Sequence, residues 1–344
     1  MSYTTINKGS SYFNTVLYTG TGASLANTGV GFKPDWVWIK GRSDTTDHGL
    51  YDAVRGVQKQ LESNTTTAET TETTGLTAFG SDGFTVGALA QLNTSAATYV
   101  AWNWLGANTT VSNTSGTITS TVSANTTAGF SIVSYTATGA NATVGHGLGV
   151  APKMIIVRSR TAVRNWPTYH SGLGSNTNFL YLNAADASAS LANMWNSTTP
   201  TSTLFGIGTN VATNANTENY IAYCFAEIKG YSKFGSYKGN ASADGTFVYT
   251  GFKPAYVMIK NSSSAVEEWG IWDSKRDTYN LVSKRLVANI TAAENSADYL
   301  DFVSNGFKIR TAAAGLNGSG NTLIYMAFAE NPFVTSGGIP VTAR

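Results

Sequence analysis

One ordered set of signals recurs three times along this chain, and that repetition limits the fold more than any single motif does. The first run reads SYFNTVLYTGTG, GFKPDWVWIKGR, GLYDAVRG, LTAFGSDGFTVG and ATYVAWNWLG. The second reads GFSIVSYTATG, VAPKMIIVRSR, NWPTYHSG, STLFGIGTNV and ENYIAYCFAEIKG, and the third YSKFGSYKGN, GFKPAYVMIKNS, WGIWDSKRD, LDFVSNGFKIR and NTLIYMAFAENPF. Pro34, Pro152 and Pro254 open the same strand in each run, 118 residues apart (34 to 152) and then 102 (152 to 254). The longer first interval is explained by a Thr-, Ser- and Asn-rich stretch at 106–128, which reads as a linker.

Within each run the apolar segments are short, rich in β-branched and aromatic residues, and bounded by Gly, Pro and Asn, as strands are. Ser-Asp-Gly at 81–83 and Ser-Asn-Gly at 304–306 are hairpin signals. Helical periodicity is confined to three stretches, 52–62, 183–194 and 281–293. The expected fold is all-β: three tandem β-sandwich repeats, jelly-roll or lectin-like, of about a hundred residues each. The boundaries are an N-terminal arm at 1–11, repeats at 12–105, 129–230 and 231–334 flanking the linker at 106–128, and a C-terminal tail at 335–344. The passage between the second and third repeats is short, so those two should share an apolar interface.

Charge is scarce: 12% of residues are Asp, Glu, Lys or Arg, about half the roughly 25% of an ordinary domain. With a net charge of +2 and no basic run, nucleic acid is not an expected partner. Cys224 is the single cysteine, which excludes an internal disulfide and a Cys-rich metal site. The opening MSYTTINKGS lacks the apolar core of a secretory signal, and no apolar run is long enough for membrane insertion as a helix.

No chemistry-bearing constellation recurs. His48, His146 and His170 fall in different repeats without dyad or ligand spacing and read as loop residues. Asp52 with Arg55 and Asp273 with Arg276 form Asp-x-x-Arg pairs in the first and third repeats, spaced for local ion pairing; the second repeat has His170 and Leu173 instead. A catalytic pair would leave that copy dead, so a structural ion pair is the reading. Glu267, Glu268 and Asp273 are the densest acidic group, but they occur in one repeat only, whereas a glycosidase needs two carboxylates facing across a cleft. Trp36 and Trp38 leave one strand face, as do Trp102 and Trp104, and positions 36, 154 and 256 match as Trp, Met and Tyr, the pattern of a core or inter-repeat packing site. Trp195, in a polar loop the other repeats lack, and Trp269 and Trp272 in WGIWDSKRD are the candidate binding residues, suited to stacking on a sugar ring or docking on a partner, although for Trp195 anchoring its own loop is the favoured reading. No catalytic residue, metal site or cofactor is expected.

The stretches GFKPDWVWIKGR, GSDGFTVG with YVAWNW, VGHGLGVAPKMIIV, NYIAYCFAEIKGYSKFGSYKGN and ADGTFVYTGFKPAYVMIKNS resemble a family of tandem β-domains encoded by tailed bacteriophages, especially marine ones. The resemblance runs from about Tyr12 to Phe333. It implies a virion structural protein with lectin-like domains, made in the host cytoplasm and released by lysis, and it carries no catalytic or binding residues. The expected role is a tail fibre or appendage contacting the host surface. A capsid decoration (cement) protein is the alternative, and a glycan depolymerase a further one. Other virion proteins are the partners this implies, with a host surface glycan as a further candidate. A homo-trimer, or one chain imitating a trimer, is the expected assembly.

Overall fold

The structure, a computed structural model, describes residues 4–332 and is all-β. One four-strand ladder occurs three times. Its spatial order is Phe13–Thr19, Thr98–Trp104, Trp36–Gly41, Gly49–Asp52 in the first unit. The second unit has Phe130–Thr136, Asn219–Ala226, Pro152–Ser159, Pro167–His170, and the third Ser232–Lys238, Thr322–Pro332, Phe252–Asn261, Gly270–Asp273. Registers match as well: Trp38 opposes Trp102, Ile156 opposes Tyr223 and Met258 opposes Met326. Pro34 precedes the third strand of its ladder, while Pro152 opens and Pro254 lies within the equivalent strands. In each case the proline stands two residues before the matched position 36, 154 or 256, and at the latter two it coincides with a register shift that absorbs the missing N–H.

The two central strands of each ladder are buried on both faces, so they read as nearly continuous apolar runs. One set of alternate residues faces a single shared cluster: Trp36, Trp38, Trp102 and Trp104, then Met154, Ile156, Tyr223 and Phe225, then Tyr256, Met258, Met326 and Phe328. The other set faces each unit's own outer layer, as Val37, Ile39, Tyr99 and Ala101 do against Leu76, Phe84, Val86 and Leu92. Three sheets thus close around one aromatic axis. Trp36 lies 4.3 Å from the Tyr223 ring in a stacked pair, and Phe13 stacks on Phe328 at 4.9 Å, so rings from different units interleave.

Each outer layer is pinned by an asparagine at the end of a one-turn helix. Asn93, Asn214 and Asn317 are fully buried; each Oδ1 accepts from a backbone N–H (Thr21, Thr138, Asn240) and each Nδ2 donates to a carbonyl (Gly87, Gly208, Thr311). Those helices, Ala90–Asn93, Val211–Asn214 and Ala314–Asn317, are not where helical periodicity was expected. The stretch 281–293 instead contains the strand Val282–Val287, because Val282 and Leu286 fill the third unit's core and the axial cluster.

Two boundaries differ from expectation. The stretch 106–128 is folded: Val111–Asn113 and Ser120–Asn125 form strands that extend the second unit's sheet, and Val122 and Ile118 are buried in its core. Thr121 faces outward on the second of these strands, while Ser120 and Ser123 are buried, one donating to the Gly145 carbonyl and the other accepting from the Ala107 N–H, a division that composition alone reads as a linker. The arm at 1–11 is anchored by Ile6, which is buried in the axial cluster, and by a 3-10 turn at Gly9–Ser11. The tail at 335–344 lies outside the described residues.

Candidate functional site

The two Asp-x-x-Arg pairs, His48, His170 and Trp269 lie at the seams where one unit meets the next. In the first unit, the Asp52 carboxylate accepts the backbone N–H groups of Val54 and Arg55 at 3.0 and 2.8 Å, and its other oxygen binds the Arg55 guanidinium. The third unit repeats this turn with Asp273, Lys275 and Arg276, the Arg276 Nε standing 2.6 Å from Asp273. All four charged side chains are fully buried. A buried ion pair persists only when its remaining lone pairs and protons are satisfied, and here the neighbouring unit helps satisfy them. The Tyr223 hydroxyl donates to Asp52 at 2.8 Å, and the Trp102 indole donates to Asp273 at 3.0 Å. A second carboxylate and arginine complete each network across the seam: Glu69 joins Arg55 to Arg160, and Glu294 joins Arg276 to Arg42. Burial alone would raise the Glu69 and Glu294 carboxyls, but the flanking arginines outweigh it and hold both below the ordinary range.

Two further sets of contacts run round the same ring. The residue just before the fourth strand sends a ring nitrogen to a neighbouring carbonyl: His48 to Val287 at 2.9 Å, Trp166 to Glu62 at 3.0 Å and Trp269 to Tyr181 at 3.0 Å. The cation ending the strand after the matched proline does likewise, Lys40 reaching Thr291, Arg158 reaching Thr67 and Lys260 reaching Ala185. Each unit therefore donates to the next in one rotational sense and the cycle closes. Burial lowers Lys40 and Lys260 to about 8 and Arg158 to about 10.

His170 ends a strand while His48 and His146 lie in loops, and all three are buried. His48 and His170 are buried in the seams, and desolvation lowers them to about 3 and about 4, so both are neutral; His170 bonds the Tyr325 carbonyl of the third unit at 3.1 Å. His146 bonds the Thr201 carbonyl within the second unit. Cys224 is buried in the second unit's core, and burial pushes its thiol up, away from reactivity. Asp273 is enclosed in its ion pair and Glu268 is held by Asn289, so this acidic group does not present the carboxylates of a glycosidase pair. Among the described residues no three His, Cys, Asp or Glu side chains are grouped to hold a metal.

Trp195, Trp269 and Trp272 do not offer stacking faces: they are 2, 1 and 1% exposed. Trp195 packs edge-on against Tyr169 in the second unit's core, which fits loop anchoring; Trp269 belongs to the axial cluster and Trp272 to the third unit's core. Exposed aromatics lie elsewhere, in the third unit: Phe247, Tyr249 and Tyr299 on its outer strands are 44, 60 and 40% exposed, and Tyr279, ahead of the strand Val282–Val287, is 85% exposed. Register places Ala26 and Thr143 at the position of Phe247, and Thr28 and Gly145 at that of Tyr249, so this face is unique to one unit. Beside it, Lys308 pairs with Asp244 at 2.7 Å and Arg310 with Asp301 at 2.8 Å. Sequence reading missed these residues because strand alternation points a side chain inward or outward only once the register is known.

No curated protein and no solved structure matches the chain. A family model does, over residues 8–332, which is the whole three-unit body, and the chain therefore belongs to the family described as Domain of unknown function (DUF7483).

Proposed function

We propose that this protein is a non-enzymatic structural component of a bacteriophage virion, mounted as a tail fibre or similar appendage that contacts the host surface. The observation that carries the reading is the closed ring, in which the buried acids, arginines and histidines are consumed in joining units. Such a body is a rigid mount for surface loops rather than a preorganised reaction site. Three units arranged around one axis within a single polypeptide support reading the chain as one that imitates a trimer. The first unit's ladder ends at Trp104 and the second's at Ala226, both at one end of the sheets, while loops 42–48, 160–165 and 262–268 occupy the other, with Val163 and Val266 exposed there. The aromatic face of Phe247, Tyr249 and Tyr299 supplies a second contact surface. A capsid decoration protein is the second reading, favoured by helices of only four residues, which provide no coiled-coil shaft among the described residues.

Negative-stain imaging of virions labelled with an antibody to this protein tests the placement. Label on tail appendages is the expected result, label on the head selects the decoration reading, and unlabelled virions overturn both. Release of reducing sugar from host envelopes by the purified chain, lost in D273A or E268A, would establish depolymerase activity instead.

A further inference from the structure

The three seams are built alike, but one is hollow. Thr15, Ile132 and Phe234 are equivalent, each two residues into its ladder and opposite Trp102, Tyr223 and Met326. Ile132 and Phe234 fill the axial cluster at their seams, whereas Thr15 leaves a cavity of about 320 Å³ between the first and third units. A second position changes with it. Val54 packs on the apolar cluster in the first unit; its counterpart in the third, placed by the same carboxylate-capped turn, is Lys275, at the cavity.

The walls that result are polar. Thr15 is 3% exposed and its hydroxyl has no hydrogen-bond partner, although an orphaned buried hydroxyl is destabilising. Ser10, Ser274 and Thr278 add three more hydroxyls. Lys8 and Lys275 stand at the rim, exposed, with no ion pair among the described residues, while the one carboxylate there, Glu330, is held by Lys253 at 2.8 Å. The rim therefore carries uncompensated positive charge.

We infer that this hollow seam is a binding site for a carboxylate-bearing monosaccharide unit, a uronic acid. Its volume is at the lower end for small-ligand pockets, enough for one sugar ring and far more than a bare inorganic anion needs. The two ammonium groups would take the carboxylate by charge-assisted hydrogen bonds and the wall hydroxyls, Thr15 included, would take the ring hydroxyls. The inference stands on the chemistry of the cavity and does not depend on where the protein resides.

Calorimetric titration of the whole chain with galacturonate, galactose and acetate tests it. Galacturonate should bind about tenfold or more tighter than galactose, since one charge-assisted contact is worth at least that factor, and about tenfold or more tighter than acetate, which has the carboxylate but none of the ring hydroxyls that the wall hydroxyls would bond. T15I, which restores the residue of the second unit, should abolish binding while the melting temperature holds or rises. If T15I does not fold, K8Q/K275Q at the exposed rim serves in its place and should weaken galacturonate about tenfold or more. Equal binding of galactose would overturn the acidic assignment, equal binding of acetate would reduce the site to an anion patch, and no binding of galacturonate, or binding unchanged in the variants, would overturn the site.

Discussion

Two of the three seams are ionic and the third is not, although all three are built on the same ladder. Where the second unit meets the first, Asp52, Arg55, Glu69, Arg160 and Tyr223 form one network; where the first meets the third, Asp273, Arg276, Glu294, Arg42 and Trp102 do the same. At the seam between third and second units the corresponding residues are His170, Leu173, Ser188, Ser262 and Met326, so every member has changed together. Met326 has no proton to give, and a carboxylate facing it would be desolvated without its cross-seam donor; a neutral histidine bonded to the Tyr325 carbonyl avoids that cost. What survives in all three is the backbone bond beneath the side chains: Glu69 N–H to Arg160, Glu294 N–H to Arg42 and Ser188 N–H to Ser262, at 2.9, 2.8 and 2.9 Å. The comparison teaches that the backbone fixes the geometry of each seam, and that a buried charge network upon it is kept whole or dispensed with whole.

Breaking one ionic seam by a single change should have the largest effect. R55L leaves Asp52 buried and unpaired and should cost about 3–5 kcal/mol in urea unfolding. The triple change D52H/R55L/Y223M, which copies the third seam, should recover more than half of that loss. A triple variant as unstable as R55L would mean the network contributes stability of its own rather than avoiding a penalty.

Acid should act on the seams in two stages. His48 and His170 are neutral when folded and lowered to about 3 and about 4, so below an unfolded pKa of roughly 6.5 the unfolded chain binds more protons and stability falls with pH, by at most about 1.4 kcal/mol per pH unit for each histidine. Glu69 and Glu294 are depressed, so their contribution is complete above roughly pH 4.5 and is lost as pH drops through their lower folded values. Unfolding midpoints measured from pH 7 to 3 should show both stages, and a profile flat down to pH 4.5 would contradict the buried neutral histidines.

A smaller effect is expected at the ring-nitrogen contacts. W269F removes one N–H donor and leaves the Tyr181 carbonyl unpaired at that point, costing about 1 kcal/mol. Smallest of all, Lys233 and Glu227 pair at 2.7 Å beside the passage into the third unit but are partly exposed, and K233A should change stability by about 0.5 kcal/mol or less. A larger loss would mean that the seam without a buried network leans on this surface pair.

Much of this was legible in the residues. The continuous apolar runs WVWI, MIIV and YVMI mark buried strands, and the matched prolines and turns mark one ladder written three times. The Asp-x-x-Arg spacing identified local pairs because both partners lie on one turn. The cross-seam partners were not legible: Tyr223 is 171 residues from Asp52, and Trp102 is 171 from Asp273. Nothing local distinguishes a tryptophan that stacks on a ligand from one that fills an axis, which is why Trp269 and Trp272 read as binding residues.

The sequence by itself determined the β class, the triplicate ladder and which residues form pairs within a turn, because these depend on period, turn chemistry and spacing along the chain. Only the tertiary structure decided that the three inner faces share one aromatic axis, that each unit donates to the next around a closed ring, and that Thr15 and Lys275 meet to hollow a single seam. Those outcomes depend on which distant surfaces are brought within a few ångströms of each other, and side-chain hydrogen bonding and van der Waals packing act only over that distance.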